Sequence, residues 1–203
     1  MTIYLHQNDL PNDVQFSGSV AVDSETMGLK ITRDRLCLVQ LSAGNGDAHL
    51  VHLINKNYDA PNLKKLMSDA NIEKIFHYAR FDMAAIGYYL SIDVNNVFCT
   101  KIASKLVRTY TDAHGLKSLC DELLKVELSK KQQSSDWGNA LITQKQREYA
   151  ANDVLYLHRL RDILLEMLIR EKRQKIFQKT IDFLPTRVKM DLIGFGKVDI
   201  FSH

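Results

Sequence analysis

The sequence is poor in the residues that would make it anything other than an ordinary folded domain. Its three cysteines, Cys37, Cys99 and Cys120, are odd in number and far apart in 203 residues. Neither a disulfide framework nor a zinc site suits that spacing, so all three are expected as reduced, half-buried thiols. Three prolines and nine glycines exclude collagen-like, linker-dominated and largely disordered chains. No apolar run approaches the ~18 residues that a membrane span needs. The opening MTIYLHQNDLPND has no basic segment followed by an apolar stretch, so the expectation is a protein that stays in the cytoplasm. An excess of charge is lacking too. Twenty-seven basic against 24 acidic residues leave only +3, which permits a local anion pocket without arguing for the coating of a long duplex.

With 45% hydrophobic and 25% charged residues, the chain reads as one soluble domain spanning residues 1–203. A chain of this length can bury roughly 70% of its unfolded surface in a single core. Ser19 to Asp23 is a short, nearly continuous apolar strand of the kind found inside a sheet. Arg35 to Leu41 and Ala48 to Ile54 are two more strands, joined through the turn AGNGD into an antiparallel meander. Pro61 opens a helix through Met67, Lys74 to Phe76 is a strand, and Phe81 to Leu90 is a helix. Val97 to Thr100 is a last short strand before helices starting near Lys101 and Gly115. Thr143 and Gln146 form a capping-box pattern, followed by Ala150, Val154, Leu157, Leu160 and Leu164 on one helical stripe. The predicted class is α/β, a mixed central sheet with helices packed on it. The run from Ile181 to Phe201 is apolar for a terminus, and from about residue 184 onward it is expected to pack within the fold or on another subunit.

Three short elements carry chemistry. Asp23 and Glu25 are two apart at the end of the most buried strand, so an extended backbone aims both carboxylates at one point. Such a pair is costly without a compensating cation. Asp82 closes the stretch His77-Tyr-Ala-Arg-Phe-Asp82 in the first turn of a predicted helix. Tyr149 and Asp153 are four apart on the capped helix and share a face. Each element alone has a bland reading: a solvated turn, a helix N-terminal carboxylate, a surface pair.

Taken in order, V-D-S-E-T, H-Y-A-R-F-D and Y-A-A-N-D resemble the three motifs of the ribonuclease D-like branch of the DEDD 3′–5′ exonucleases, the branch with tyrosine in its third motif. The segment Gln133 to Trp137 (QSSDW) is similar to the family's Q-x-S-D-W stretch. The resemblance runs from about Ser19 to Leu165 and implies an RNase H-like fold. It also implies that Asp23, Glu25, Asp82 and Asp153 hold two Mg²⁺ or Mn²⁺ ions, and that Tyr149 holds or helps to deprotonate the attacking water. All-oxygen donors suit such hard cations. A free tyrosine titrates near pH ~10, which makes positioning the safer role. Products would be nucleoside 5′-monophosphates.

The stretches T-K-I-A-S-K-L, R-T-Y-T-D-A-H-G-L-K and Q-Q-S-S-D-W-G are most similar to compact, dinucleotide-degrading members of that family from alphaproteobacteria. That likeness implies short RNA as substrate and a closed homo-octameric ring. In this reading Leu29, on the turn after Met27-Gly28, wedges between two bases, and Gln133 and Ser135 cap a 5′ phosphate. Thr26 and His77 are further candidate substrate contacts. Trp137 is expected in the core, and Lys130-Lys131 as a solvated basic turn; Arg108 and Tyr110 have no evident place. Two other functions stay open on sequence alone: trimming of longer RNA or single-stranded DNA, and a non-catalytic nucleic-acid-binding module on the same fold.

Overall fold

A computed structural model describes residues 1–129 and 135–202. Six strands, β1 (Ile3–Gln7), β2 (Ser19–Thr26), β3 (Leu36–Ser42), β4 (Ala48–His52), β5 (Glu73–Phe76) and β6 (Val97–Cys99), form one sheet in the order β1-β4-β3-β2-β5-β6. β2, β3 and β4 are the antiparallel meander, whereas β2 with β5, β5 with β6 and β1 with β4 run parallel. The mixed sheet expected from the sequence is therefore present. Every residue of β3 is buried, as a near-continuous apolar run in a central strand requires.

Seven helices flank the sheet among the described residues: α1 (Pro61–Ser68), α2 (Ala79–Leu90), α3 (Thr100–Val107), α4 (Leu116–Leu119), α5 (Gln144–Leu155), α6 (Leu157–Arg170) and α7 (Gln174–Met190). The capping box is formed as read: Thr143 Oγ1 accepts from Gln146 N at 3.3 Å, and Gln146 Oε1 accepts from Thr143 N at 2.9 Å. The apolar stripe beyond it is not one helix, however. It breaks at Tyr156, whose φ of −104° and ψ of −5° lie off the helical values. The break lets α5 lie on β3 and β4 while α6 turns to pack on α3 and β5. None of the helices is long and apolar enough to cross a membrane.

Two elements carried no clear signal in the sequence. β1 is a half-exposed edge strand with His6 and Gln7 among its five residues, so it lacks the apolar run that marks β2 and β3. α7 contains Pro185, which reads as a helix breaker and removes one backbone hydrogen bond; burial of Phe177, Ile181, Leu184 and Val188 holds the helix across it. The apolar tail thus divides. Leu184 and Val188 belong to the core, whereas Ile193, Phe195, Val198, Ile200 and Phe201 are exposed. Arg187 fastens the tail by donating to the carbonyls of Phe195, Gly196 and Val198.

Arg108 has a definite place. Its side chain is fully buried, pairs with Glu122, and donates to Ser104 Oγ (3.0 Å) and to the Ala113 carbonyl (2.8 Å). Tyr110 donates to the same Glu122 carboxylate at 2.6 Å. Together they fold residues 109–115 back onto the end of α3. All three cysteines are free, as expected, and are fully buried where half-buried thiols were expected, because each lies on or beside a core element.

Candidate active site

β2 lies at the centre of the sheet, and its last turn of chain carries the acidic residues. Asp23 and Glu25 point to the same face because side chains alternate along a strand. α5 crosses that face and brings Asp153 to them: one carboxylate oxygen from each of Asp23, Glu25 and Asp153 lies within 4.8 Å of the others. Asp82 stands behind this trio in the first turn of α2, 3% exposed. It reaches the site because β5 runs parallel to β2, with Phe76 beside Val22, so the chain leaves the sheet next to Asp23. Ser24 Oγ donates to Asp82 Oδ1 at 2.7 Å, joining the two segments.

The sequence reading did not single out Ser24, nor Gln40, which pairs with Asp23 from the adjacent β3 and donates to its Oδ2 at 3.2 Å. A fully buried glutamine inside the apolar β3 was the available signal.

The four carboxylates have no ion pair with any lysine, arginine or histidine among the described residues. Burial pushes Asp23 up to about 7. Burial first, then Asp23, Asp153 and Asp82 in turn, push Glu25 up to about 10. Asp82 and Asp153 are both raised by burial and then by Asp23. A cluster of buried, mutually repelling oxygens without a protein cation fits a hard divalent ion. The absence of nitrogen or sulfur donors from the cluster argues for Mg²⁺ or Mn²⁺ over zinc.

Tyr149 lies on the same face of α5 as Asp153. Burial, followed by Asp153, Glu25 and Asp23, raises its phenol above the ordinary tyrosine range. At neutral pH the phenol therefore keeps its proton. The indole of Trp137 packs at 6.2 Å from the Tyr149 ring, 2% exposed, so Trp137 is in the core as expected.

The remaining sequence candidates are distributed unevenly. Leu29 lies on the turn that follows β2 with its side chain in the open, 87% exposed. Its turn needs Gly28, because a Cβ there would come within 2.5 Å of Asp34 Oδ2. Thr26 follows a bulge in the β2–β3 pairing and spends its hydroxyl proton on the Gly28 carbonyl, at 2.5 Å; it shapes the turn. Thr100 Oγ1 donates to the Phe76 carbonyl, so it must accept from His77 Nδ1 at 2.9 Å, which fixes the proton on Nδ1. Burial and Lys101 hold the imidazole near 3, so it stays neutral. Tyr78, next to it, has φ of +88°, a conformation that costs about 1–3 kcal/mol and recurs at functional sites. Ser135 is half-buried near Trp137. Gln133, Lys130 and Lys131 lie outside the described residues.

Comparison with known proteins agrees with this geometry. The 3′–5′ exonuclease family pattern matches residues 5–169. Ribonuclease D from Gluconacetobacter diazotrophicus is 32% identical over 154 residues, 76% of this chain and 39% of that protein. The chain spans less than half the length of the curated ribonuclease D relatives it matches. Several solved structures cover it fully. Brucella melitensis NrnC with bound Mg²⁺ is 50% identical with a TM-score of 0.94, covering 100% of both chains. The same protein bound to pGG is 51% identical with a TM-score of 0.95, covering 100% of this chain and 99% of that one. The fold is the RNase H-like exonuclease fold of these proteins, and the chain belongs to the 3′–5′ exonuclease family, in its ribonuclease D-like branch.

Proposed function

We propose that this protein is a metal-dependent 3′–5′ exoribonuclease that hydrolyses very short RNA, 5′-phosphorylated dinucleotides first, to nucleoside 5′-monophosphates. The observation that carries the reading is the convergence of Asp23, Glu25 and Asp153 within 4.8 Å, with Asp82 tied in through Ser24. Likeness over the whole chain to a nuclease captured with Mg²⁺ and with pGG supports both the metal and the substrate class.

In this reading Asp23, Glu25, Asp82 and Asp153 hold two Mg²⁺ or Mn²⁺ ions, which supply an activated water and a stabilised leaving 3′ oxygen when bound. Gln40 and Ser24 orient Asp23 and Asp82, leaving the remaining carboxylate oxygens to face the cations. Tyr149, protonated, orients the water or the scissile phosphate by its O–H. Leu29, already exposed, wedges between the two bases, and Ser135 with Gln133 caps the 5′ phosphate. His77, with its proton fixed on Nδ1, braces the start of α2.

The assembly in this reading is a closed homo-oligomer, a ring of eight, with the protein in the cytoplasm. Three free thiols suit a reducing compartment, and the exposed apolar tail residues need a partner surface. Residues 1–203 act as one exonuclease domain, with the tail from about residue 184 shared between the fold and the interface.

The test is turnover of a short RNA with Mg²⁺ by the wild type and by Asp153→Asn. Loss of one ligand charge should cut the rate by orders of magnitude while the fold persists. Near-normal turnover in the variant would refute the reading.

A further inference from the structure

Away from the acidic site, a cavity of about 310 Å³ opens where β3 begins and β4 ends, lined by Arg35, Ile54, Asn55, Lys56, Gly138, Asn139 and Ala140. Its two charged groups, Arg35 and Lys56, are cationic, and none of its lining residues is acidic. Arg35 is held from behind: Nη1 donates to the Leu53 carbonyl (3.1 Å) and Nη2 to the Gly138 carbonyl (2.8 Å). Those two bonds use two of the five guanidinium N–H groups and fix its plane. No carboxylate pairs with Arg35 among the described residues. A half-buried arginine held by two carbonyls and the Tyr58 hydroxyl, with no carboxylate partner among the described residues, presents its positive charge in a geometry that matches a phosphate bidentately.

The rim is strained in a way that serves this charge. Asn55 and Lys56 both have positive φ, 53° and 56°, and two consecutive left-handed residues without glycine are costly. The side chain of Asn8 secures the turn by accepting from Ile54 N at 3.0 Å. The result is a lysine and an amide presented on the same cavity as Arg35. Across the opening, Asn139 adds a second amide, and Ile54 with Ala140 adds apolar wall. The local field has a further witness in His52, which burial first and Arg35 next hold below the ordinary imidazole range.

We infer that this cavity binds a mononucleotide, with its phosphate between Arg35 and Lys56 and its nucleoside against Ile54, Asn55 and Asn139. The volume lies at the low end of ligand pockets, too large for a bare phosphate and too small for a strand. Occupancy would be felt at the acidic site. The Arg35 carbonyl accepts from Met27 N at 3.0 Å, and Gly138 packs so closely on Met27 that a Cβ there would come within 3.0 Å of its sulfur. A ligand that clamps Arg35 and the Gly138 loop therefore stiffens the turn that carries Leu29.

Calorimetric titration of the full-length, EDTA-treated protein with adenosine 5′-monophosphate tests this, with adenosine and inorganic phosphate as companion probes. Removing metal takes away the cations that would hold a phosphate at the acidic cluster, so the cavity alone should report. One saturable site is expected for the nucleotide, with adenosine failing to saturate and phosphate at least about tenfold weaker. Lys56→Gln should weaken the nucleotide by about tenfold, and Arg35→Gln by at least as much. Lys56 is exposed, so its variant has no fold to lose. Absence of saturation at millimolar nucleotide overturns the inference. So does an affinity that is unchanged in Lys56→Gln, or binding that disappears in Asp153→Asn instead. Phosphate binding as tightly as the nucleotide overturns the assignment of a mononucleotide.

Discussion

Ser24 and Asp82 are 58 residues apart in sequence, and a single 2.7 Å hydrogen bond joins them in the buried floor of the acidic site. Ser24 points to the opposite face of β2 from Asp23 and Glu25, toward the start of α2. Its hydroxyl is what registers the helix carrying one acid against the strand carrying two others. Ser24→Ala is close to isosteric, so the fold should persist, while Asp82 loses its only side-chain donor among the described residues. The Mg²⁺ concentration needed for half-maximal rate should rise by about ten- to a hundredfold, the usual cost of removing such a support. An unchanged Mg²⁺ dependence would show that Asp82 is oriented by something else.

The same crowding gives the metal-free protein a distinctive response to pH. Carboxylates titrate near pH ~4 in an unfolded chain, whereas Asp23 and Glu25 are pushed up to about 7 and about 10 in the fold. Between those limits the folded state binds more protons than the unfolded one. Their contribution to stability is therefore full below the unfolded pKa and is lost as pH rises through the folded values. In EDTA, Asp153→Asn should lose less stability than the wild type between pH 5.5 and 8. Added Mg²⁺ should raise the wild-type melting temperature more at pH 8 than at pH 5.5. An equal Mg²⁺ effect at both values would contradict the strained, proton-sharing cluster.

Much of this site was legible because its parts lie on periodic elements. The alternation of β2 was enough to bring Asp23 and Glu25 together, and the four-residue step on α5 placed Tyr149 over Asp153. The helix start at Asp82 could be read from where the Lys74–Phe76 strand had to end. Supporting residues were harder to see. Gln40 and Ser24 act across strands and from strand to helix, and no local spacing reveals which residue faces which in a sheet. Arg108 was opaque for a related reason: its partners, Ser104, Ala113 and Glu122, meet only when α3 and α4 fold onto the intervening loop. The break at Tyr156 was hidden by an apolar stripe that runs on unbroken through it. β1 and α7 were masked by edge exposure and by Pro185.

Leu29 offers a separation of stability from function. With 87% of its surface in the open, it packs on nothing that folding needs, and Leu29→Ala should change stability by no more than about 0.5 kcal/mol. If Leu29 wedges between bases, the same variant should raise KM for a dinucleotide severalfold. A KM equal to that of the wild type would remove the wedge from the proposed site.

The exposed tail makes a claim about assembly. Phe195, Val198, Ile200 and Phe201 are 44–74% exposed on a segment pinned to Arg187. Multi-angle light scattering should find a closed oligomer, with eight copies the expected number. A stable monomer at micromolar concentration would exclude any such ring. Retention of the full mass after removal of residues 192–203 would place the interface elsewhere.

The most direct measurement is kcat/KM with Mg²⁺ for 5′-phosphorylated RNAs of two, three, five and ten nucleotides. A polar cap on the 5′ phosphate rewards a terminal phosphomonoester, which carries more charge than an internal diester, and obstructs a longer chain. The expected result is a maximum at two nucleotides with a steep fall beyond. A value that stays flat or rises with length would contradict the dinucleotide reading and leave a general trimming exonuclease in its place.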